Sequence, residues 1–143
     1  MSSPTGQPLG YTVSLAKRIL APTENKITEL VLSVDSRRPT QEYTTVFDVK
    51  GSKFTMKEES GGFAGDGELT GKAWDWTGWK YTANMTGQGK GVLKGEDSLT
   101  AVGLTSKKTF FSLDGQARVV FAEEMKPISR EMYELLRAKL LPK

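Results

Sequence analysis

The sequence predicts a single, mainly β domain: an antiparallel up-and-down meander of about eight to ten short strands, curled into a barrel and followed by one C-terminal α-helix. Three observations support this prediction. Apolar and polar residues alternate over short segments, most of the glycines lie between Gly61 and Gly103, and the apolar period lengthens to that of a helix after Pro127. At 143 residues the chain suits one domain.

The first half of the chain contains the clearest predicted hairpin. We expect residues 1–9 to be a flexible N-terminus and 10–143 to form the β-barrel domain. Strands are predicted near 11–15 and 30–34, although the run from 15 to 20 also fits a short helix. The hairpin itself joins two alternating segments through Lys50-Gly51-Ser52, and its inward candidates are Tyr43, Thr45, Phe47 and Val49 on one strand and Phe54 and Met56 on the other.

Glycines interrupt the second half, where strand-like runs are predicted at 63–73, 79–86, 91–93, 98–105, 109–113 and 117–121. Glycine within or between strands marks bulges, bends and close backbone approach, and such bends curl a sheet. Asp114-Gly115 is a strong hairpin signal between the last two runs. The two-residue period then gives way to a helix predicted over 128–141, with Ser129 as its N-cap. Its apolar stripe is predicted to be Ile128, Met132, Leu135, Leu136 and Leu140.

Two absent residue types narrow the chemistry. The chain has no cysteine and no histidine, so it has no disulfide, no thiolate nucleophile and no Ser-His-Asp triad. Zinc, copper and haem sites built on those side chains are excluded as well, and we expect no metal and no cofactor. The net charge of +3 is dispersed, which does not favour a nucleic-acid partner.

The strand meander and C-terminal helix over residues 10–141 resemble the calycin superfamily, the lipocalin-like and fatty-acid-binding-protein-like barrels. The lipocalins carry a Gly-x-Trp signature on their first strand. The nearest match here, Gly71-Lys-Ala-Trp74, has one extra residue and lies in the middle of the chain. The resemblance implies a closed barrel that holds a small apolar ligand, usually without catalysis.

Three tryptophans and a tyrosine crowd into the segment from Trp74 to Tyr81. In one continuous strand, Trp74 and Trp76 would share a face, and a bend at Thr77-Gly78 would put Trp79 and Tyr81 on another. One pair then fills the core, and the other forms either a surface for a ligand or partner, or a core patch covered by the helix. We assign Trp74 and Trp76 to a candidate partner surface.

Two further motifs have ordinary structural explanations. Residues 87–91 contain three glycines around a lysine, but the spacing is wrong for a phosphate-binding loop, and we predict a tight turn. Glu58-Glu59 leads into two glycines, and we predict a solvated turn rather than a catalytic pair.

The leading functional hypothesis is a non-enzymatic module that holds a small hydrophobic ligand inside the barrel. A solid core filled by the same side chains is the competing interpretation. The candidate lining residues share apolar faces of the predicted strands: Tyr43, Phe47, Phe54, Met56, Trp79, Tyr81, Met85, Phe111 and Phe121.

Two other functions stay open. One is a homo-oligomeric structural protein that uses exposed tryptophans or a sheet edge. The other is a barrel isomerase or cyclase that works with Asp, Glu or Tyr and needs an inward-facing ionisable residue. No apolar run is long enough to span a membrane. We expect a cytoplasmic location, or a periplasmic or secreted one if a leader was removed.

Overall fold

A computed structural model describes residues 1–36, 38–86 and 90–141, together with the backbone but not the side chain of Arg38. In that part of the chain, nine antiparallel strands follow one another in a single sheet, each paired with its sequence neighbours. The strands are β1 (Thr12–Ala21), β2 (Lys26–Asp35), β3 (Arg38–Lys50), β4 (Lys53–Glu58), β5 (Phe63–Lys72), β6 (Asp75–Met85), β7 (Gly91–Thr100), β8 (Gly103–Ser112) and β9 (Ala117–Met125). A short 3-10 helix (Pro22–Glu24) joins β1 to β2, and α1 (Arg130–Leu140) follows β9.

The predicted fold class is confirmed, and the sheet is curled as a half-barrel. The Arg18 guanidinium on β1 lies 4.2 Å from the centre of the Trp79 ring on β6. Five strand spacings separate these strands, which is about 24 Å in a flat sheet, so the sheet must fold back on itself. Within the described residues β1 and β9 do not pair, so the half-barrel is open between them.

The N-terminal segment lies along the edge of β9. Residues 1–9, expected to be a flexible terminus, include Ser2, whose N–H donates to the carbonyl of Val120 at 2.8 Å. The Val120 N–H donates in return to the Ser2 carbonyl at 2.7 Å. These bonds occupy backbone groups of β9 that closure onto β1 would need.

Two glycines leave room for aromatic side chains on the concave face. A Cβ at Gly95 would lie 2.3 Å from Cζ of Tyr81, and a Cβ at Gly67 would lie 2.5 Å from Cζ of Phe54. Because each ring occupies the space that a side chain would fill, both positions require glycine. The close backbone approach predicted from the glycine pattern is therefore present at these positions.

The helix packs outside the half-barrel, on the convex face of β1 and β2. Ser129 is the N-cap, as predicted, and its side chain accepts a hydrogen bond from the Met132 N–H at 3.1 Å. The predicted apolar stripe is wrong in part, because Ile128, Met132 and Leu135 are exposed. The inward side is instead formed by Tyr133, Leu136 and Leu140, which pack against Leu15 and Leu32.

Two strand predictions differ from the structure. The run predicted at 98–105 is interrupted by a turn at 101–102, since β7 ends at Thr100 and β8 begins at Gly103. Residues Leu99 to Val102 have no Pro, Asn, Asp or Gly, and the local signal for this turn is Gly103 directly after it, with a φ of 153°. The tight turn predicted for 87–91 falls mainly on 87–89, which lie outside the described residues.

Glu58 ends β4 and holds the turn to β5. Its side chain is 5% exposed and accepts hydrogen bonds from Ser60 Oγ at 2.7 Å and from the Gly62 N–H at 2.9 Å. The Ser60 hydroxyl and then the Gly62 amide hold the pKa of this carboxyl below its ordinary value of 4.5. The expectation of a solvated turn is therefore wrong for Glu58, which is buried.

We expect Gly95→Ala to lower the free energy of unfolding by about 1–3 kcal/mol, because the new methyl group overlaps the Tyr81 ring. Urea denaturation measures this loss. Gly62→Ala is the control, since its Cβ would meet the Glu58 carboxylate at an ordinary 3.4 Å. In the Tyr81→Ala background the Gly95→Ala penalty should largely vanish, and a penalty of full size there would contradict the explanation.

We expect Glu58→Gln to lower the free energy of unfolding at pH 7 by about 1–2 kcal/mol, because charge-assisted hydrogen bonds are lost. The pKa of Glu58 is lowered by folding, so its contribution is present above pH 4.5 and is lost as pH falls through the lower, folded value. Urea midpoints between pH 7 and pH 3 should therefore converge for wild type and variant. Glu59→Gln is the control, and a constant gap across this range would refute the account.

Candidate functional site

The strand register defines which side chains face the interior of the half-barrel. Phe47 pairs with Met56, and that row continues through Gly65 to Ala83 and Leu93. Every second residue on each strand shares this concave face. Eight of the nine predicted lining residues lie on it: Tyr43, Phe47, Phe54, Met56, Trp79, Tyr81, Met85 and Phe121.

Phe111, the ninth predicted lining residue, lies on the convex face. It pairs with Val92, and Lys94 on the same face carries its ammonium 5.6 Å from the Phe111 ring centre. The concave position belongs to Phe110, which pairs with Leu93 and covers Gly91. Two consecutive phenylalanines cannot share a face of a strand, and the alternation in 109–113 does not reveal which one points inward.

A cavity of about 270 Å³ opens at one end of the concave face. Its wall is mainly aromatic and aliphatic, with one guanidinium and one carboxylate. The lining residues are Arg18, Leu20, Ile27, Phe47, Val49, Phe54, Leu69, Trp74, Asp75, Trp76, Trp79 and Leu99. Leu20 and Leu99 are about half exposed, so they lie at the rim. Of the nine predicted lining residues, Phe47, Phe54 and Trp79 line this cavity, and Met56 is buried in the adjacent core. Tyr43, Tyr81, Met85 and Phe121 lie elsewhere on the concave face, and Phe111 lies on the convex face.

All three tryptophans line this cavity, which differs from the predicted separation onto two faces. A bulge at Thr77 explains the difference: Thr70 pairs with Gly78, but Gly71 pairs with Trp76. The extra residue restores Trp76 to the face of Trp79. The rings of Trp74 and Trp76 lie 4.8 Å apart at an angle of 49°. The residues assigned to a partner surface thus face the cavity and pack against the core.

Trp74 occupies a strained position at the cavity rim. Lys72 pairs with Asp75, so Ala73 and Trp74 form the two-residue turn between β5 and β6. Trp74 has a φ of 67°, a left-handed conformation that costs a bulky residue roughly 1–2 kcal/mol. This conformation places the indole against Trp76 at the cavity.

Charged side chains cross the middle of the concave face. The Arg18 Nε lies 2.5 Å from Glu29 Oε2, and Lys108 Nζ lies 3.9 Å from Glu123 Oε2. The Arg18 guanidinium also covers the Trp79 ring. The sequence analysis did not identify these ionisable residues, although the two-residue period places Arg18 with Leu20 and Lys108 with Phe110.

Asp97 lies beside the cavity wall. It pairs with Trp79 on β6 and with Ser106 on β8, two residues from the rim residue Leu99. The Trp79 Nε1–H donates to Asp97 Oδ2 at 2.7 Å. Asp97 Oδ1 and Ser106 Oγ are buried, and neither has a hydrogen-bond partner among the described residues.

Two tyrosine hydroxyls lie near these carboxylates. Burial, followed by the charges of Glu29, Glu123 and Glu58, raises the pKa of Tyr43 above its ordinary value. Burial, followed by the charge of Asp97, raises the pKa of Tyr81 in the same direction. Both hydroxyls are therefore protonated at neutral pH and are able to donate hydrogen bonds.

Comparison with protein-family models, with curated proteins and with solved structures gives no match. In the described part of the chain, no helix combines the length and the apolar character that a bilayer crossing requires. Among residues 1–36, 38–86 and 90–141, no three acidic side chains converge in a way that could hold a metal ion.

If the Trp74 backbone is strained, we expect Trp74→Gly to be more stable than Trp74→Ala by about 1 kcal/mol, because glycine tolerates positive φ. Both variants lose the ring, so their difference isolates the backbone. Urea denaturation followed by circular dichroism gives the two values. Ala73→Gly is the matched control and should destabilise, because the φ of Ala73 is not positive. Equal stability of the two Trp74 variants would show that the turn relaxes without cost.

Proposed function

We propose that the protein binds a small, largely apolar ligand, aromatic in part, on the concave face of the half-barrel. The observation that supports this is the unfilled space of about 270 Å³ bounded by three tryptophans. Ligand pockets in proteins are typically lined by apolar and aromatic side chains with a few polar groups, and this wall has that composition.

The size of the cavity limits the ligand. Pockets for drug-sized ligands start near roughly 300 Å³, so this space suits a molecule of one or two rings. A ligand that loses roughly 250 Å² of apolar surface to the cavity gains about 6 kcal/mol. Association costs part of that gain, and we expect dissociation constants on the order of 0.1–1 mM for a simple two-ring probe.

Two further features support binding at this end of the face. The tilted pair of Trp74 and Trp76 offers aromatic surface to a ligand ring, and aromatic contacts contribute about 0.5–1.5 kcal/mol beyond burial. The rim residues Leu20 and Leu99 leave an entrance from solvent. The calycin-like barrels that the chain resembles hold apolar ligands in the interior of the barrel, which corresponds to this face.

We expect 1-naphthalenemethanol to bind with a dissociation constant on the order of 0.1–1 mM. Binding should shift the indole N–H resonances of the three tryptophans in two-dimensional ¹H–¹⁵N NMR. The chain has three tryptophans, and all of them line the cavity, so these signals report on the site directly. Trp76→Ala should weaken binding about fivefold, because one wall of the aromatic surface is removed.

Phe111→Ala is the matched control, since it removes an aromatic ring from the convex face, and the affinity should stay within twofold. The dispersion of the remaining resonances verifies that each variant is folded. Indole signals that do not move at the solubility limit of the probe would refute the proposal.

A further inference from the structure

The two orphaned polar atoms near the cavity point to the polar part of the ligand. Asp97 and Ser106 are each 7% exposed, and they are direct partners across β7 and β8. Asp97 Oδ1 and Ser106 Oγ have no hydrogen-bond partner in the described chain. An unpaired buried oxygen costs about 1–3 kcal/mol, more when it is charged, so such atoms are normally satisfied by something.

Three other carboxylates of the concave face already have partners. Glu29 is paired with Arg18, and Glu123 with Lys108. Glu58 receives hydrogen bonds from its own turn on both oxygens. Asp97 alone among these four keeps a free oxygen, and its other oxygen accepts only the neutral Trp79 N–H.

The charged side chains of the concave face also favour a positively charged group. Among the described side chains of the concave face, five carboxylates stand against two cations. The residues counted are Glu29, Asp35, Glu58, Asp97 and Glu123 against Arg18 and Lys108. A buried excess of negative charge favours a cation. The guanidinium of Arg18 would favour an anion, but Glu29 neutralises it and the Trp79 ring covers it.

We propose that the ligand is an amphipathic amine, with its ring in the tryptophan-lined cavity and its ammonium hydrogen-bonded to Asp97 Oδ1 and Ser106 Oγ. This inference rests on the proposed function and specifies the class of ligand. The ammonium has three N–H donors, so it can satisfy both oxygens and the Tyr81 hydroxyl, which lies over Gly95 on the same strand as Asp97.

Trp79 connects the two parts of this site. Its ring lines the cavity and its Nε1–H binds Asp97, so it stands where the apolar and polar regions meet. Asp97 and Ser106 do not line the cavity themselves and their unpaired oxygens are shielded from solvent, so the proposal requires the Trp79 side chain to move when the ammonium binds. The Trp79 indole resonance should consequently show the largest shift when an amine binds.

The test compares three ligands that share one ring system and differ in the polar group: 1-naphthylmethylamine, 1-naphthalenemethanol and 1-naphthoate. We expect the amine to bind about tenfold more tightly than the alcohol, and the acid to bind most weakly. Affinities come from the NMR titration of the full chain at neutral pH. Asp97→Asn should lower the affinity for the amine to that for the alcohol, while the Asn oxygen still accepts the Trp79 N–H.

Glu96→Gln is the matched control, because Glu96 is the exposed carboxylate next to Asp97 on β7 and lies on the convex face, outside the cavity. The preference for the amine should survive this change within twofold. Ser106→Ala is the second variant should Asp97→Asn fail to fold, and it should reduce the ratio of amine to alcohol affinity about threefold.

The possible outcomes separate the two proposals. If none of the three ligands binds, the proposed function fails and the inference fails with it. Equal affinity of amine and alcohol for the wild type would overturn only the inference, and the orphaned oxygens would then be assigned to a buried water. A preference that survives Asp97→Asn but is lost in Asp75→Asn would likewise overturn it, by placing the ammonium at the rim.

Discussion

The structure depends on aromatic side chains that occupy the space above two glycines on the concave face. Tyr81 covers Gly95 and Phe54 covers Gly67 so closely that a Cβ at either glycine would overlap the ring. When every inward position of an antiparallel sheet carries a bulky residue, the sheet can curve only gently, because those side chains compete for the same interior. Where a large ring lies next to a glycine, this competition is removed and the sheet can curl more tightly.

The same curl produces the candidate site. It brings β1 against the face of β6, so that Arg18 covers Trp79. It also leaves an unfilled cavity with Leu20 and Leu99 at its rim. The half-barrel does not close, since β9 pairs at Val120 with the N-terminal segment instead of with β1. An interior that is curled but open combines a hydrophobic surface with an entrance, which a solid barrel core would not provide.

The polar middle of this interior distinguishes it from an ordinary hydrophobic core. A core selected only for stability excludes unpaired charge, because the desolvation of a carboxylate is costly unless it is compensated. Here two ion pairs, two protonated tyrosines and a half-satisfied Asp97 share one concave face. Together with the left-handed backbone at Trp74, these are departures from local stability of the kind that cluster at binding sites.

Sequence patterns alone determined the class of fold, the meander and the helix. Alternation located most strands, and turn chemistry at Gly51 and at Asp114-Gly115 located two hairpins, since both effects act between close sequence neighbours. Where the local signal was weak, as at the turn of 101–102 with Gly103 directly after it, the prediction failed. The direction in which each side chain points was decided by tertiary structure. The bulge at Thr77 moved Trp76 to the face of Trp79, the register of β8 chose Phe110 over Phe111, and packing on β1 and β2 turned Tyr133 of the helix inward. The grouping of Arg18, Trp79 and Asp97 was likewise invisible in the sequence. Trp79 meets Asp97 through the register of β6 and β7, and Arg18 reaches Trp79 only because the sheet curls.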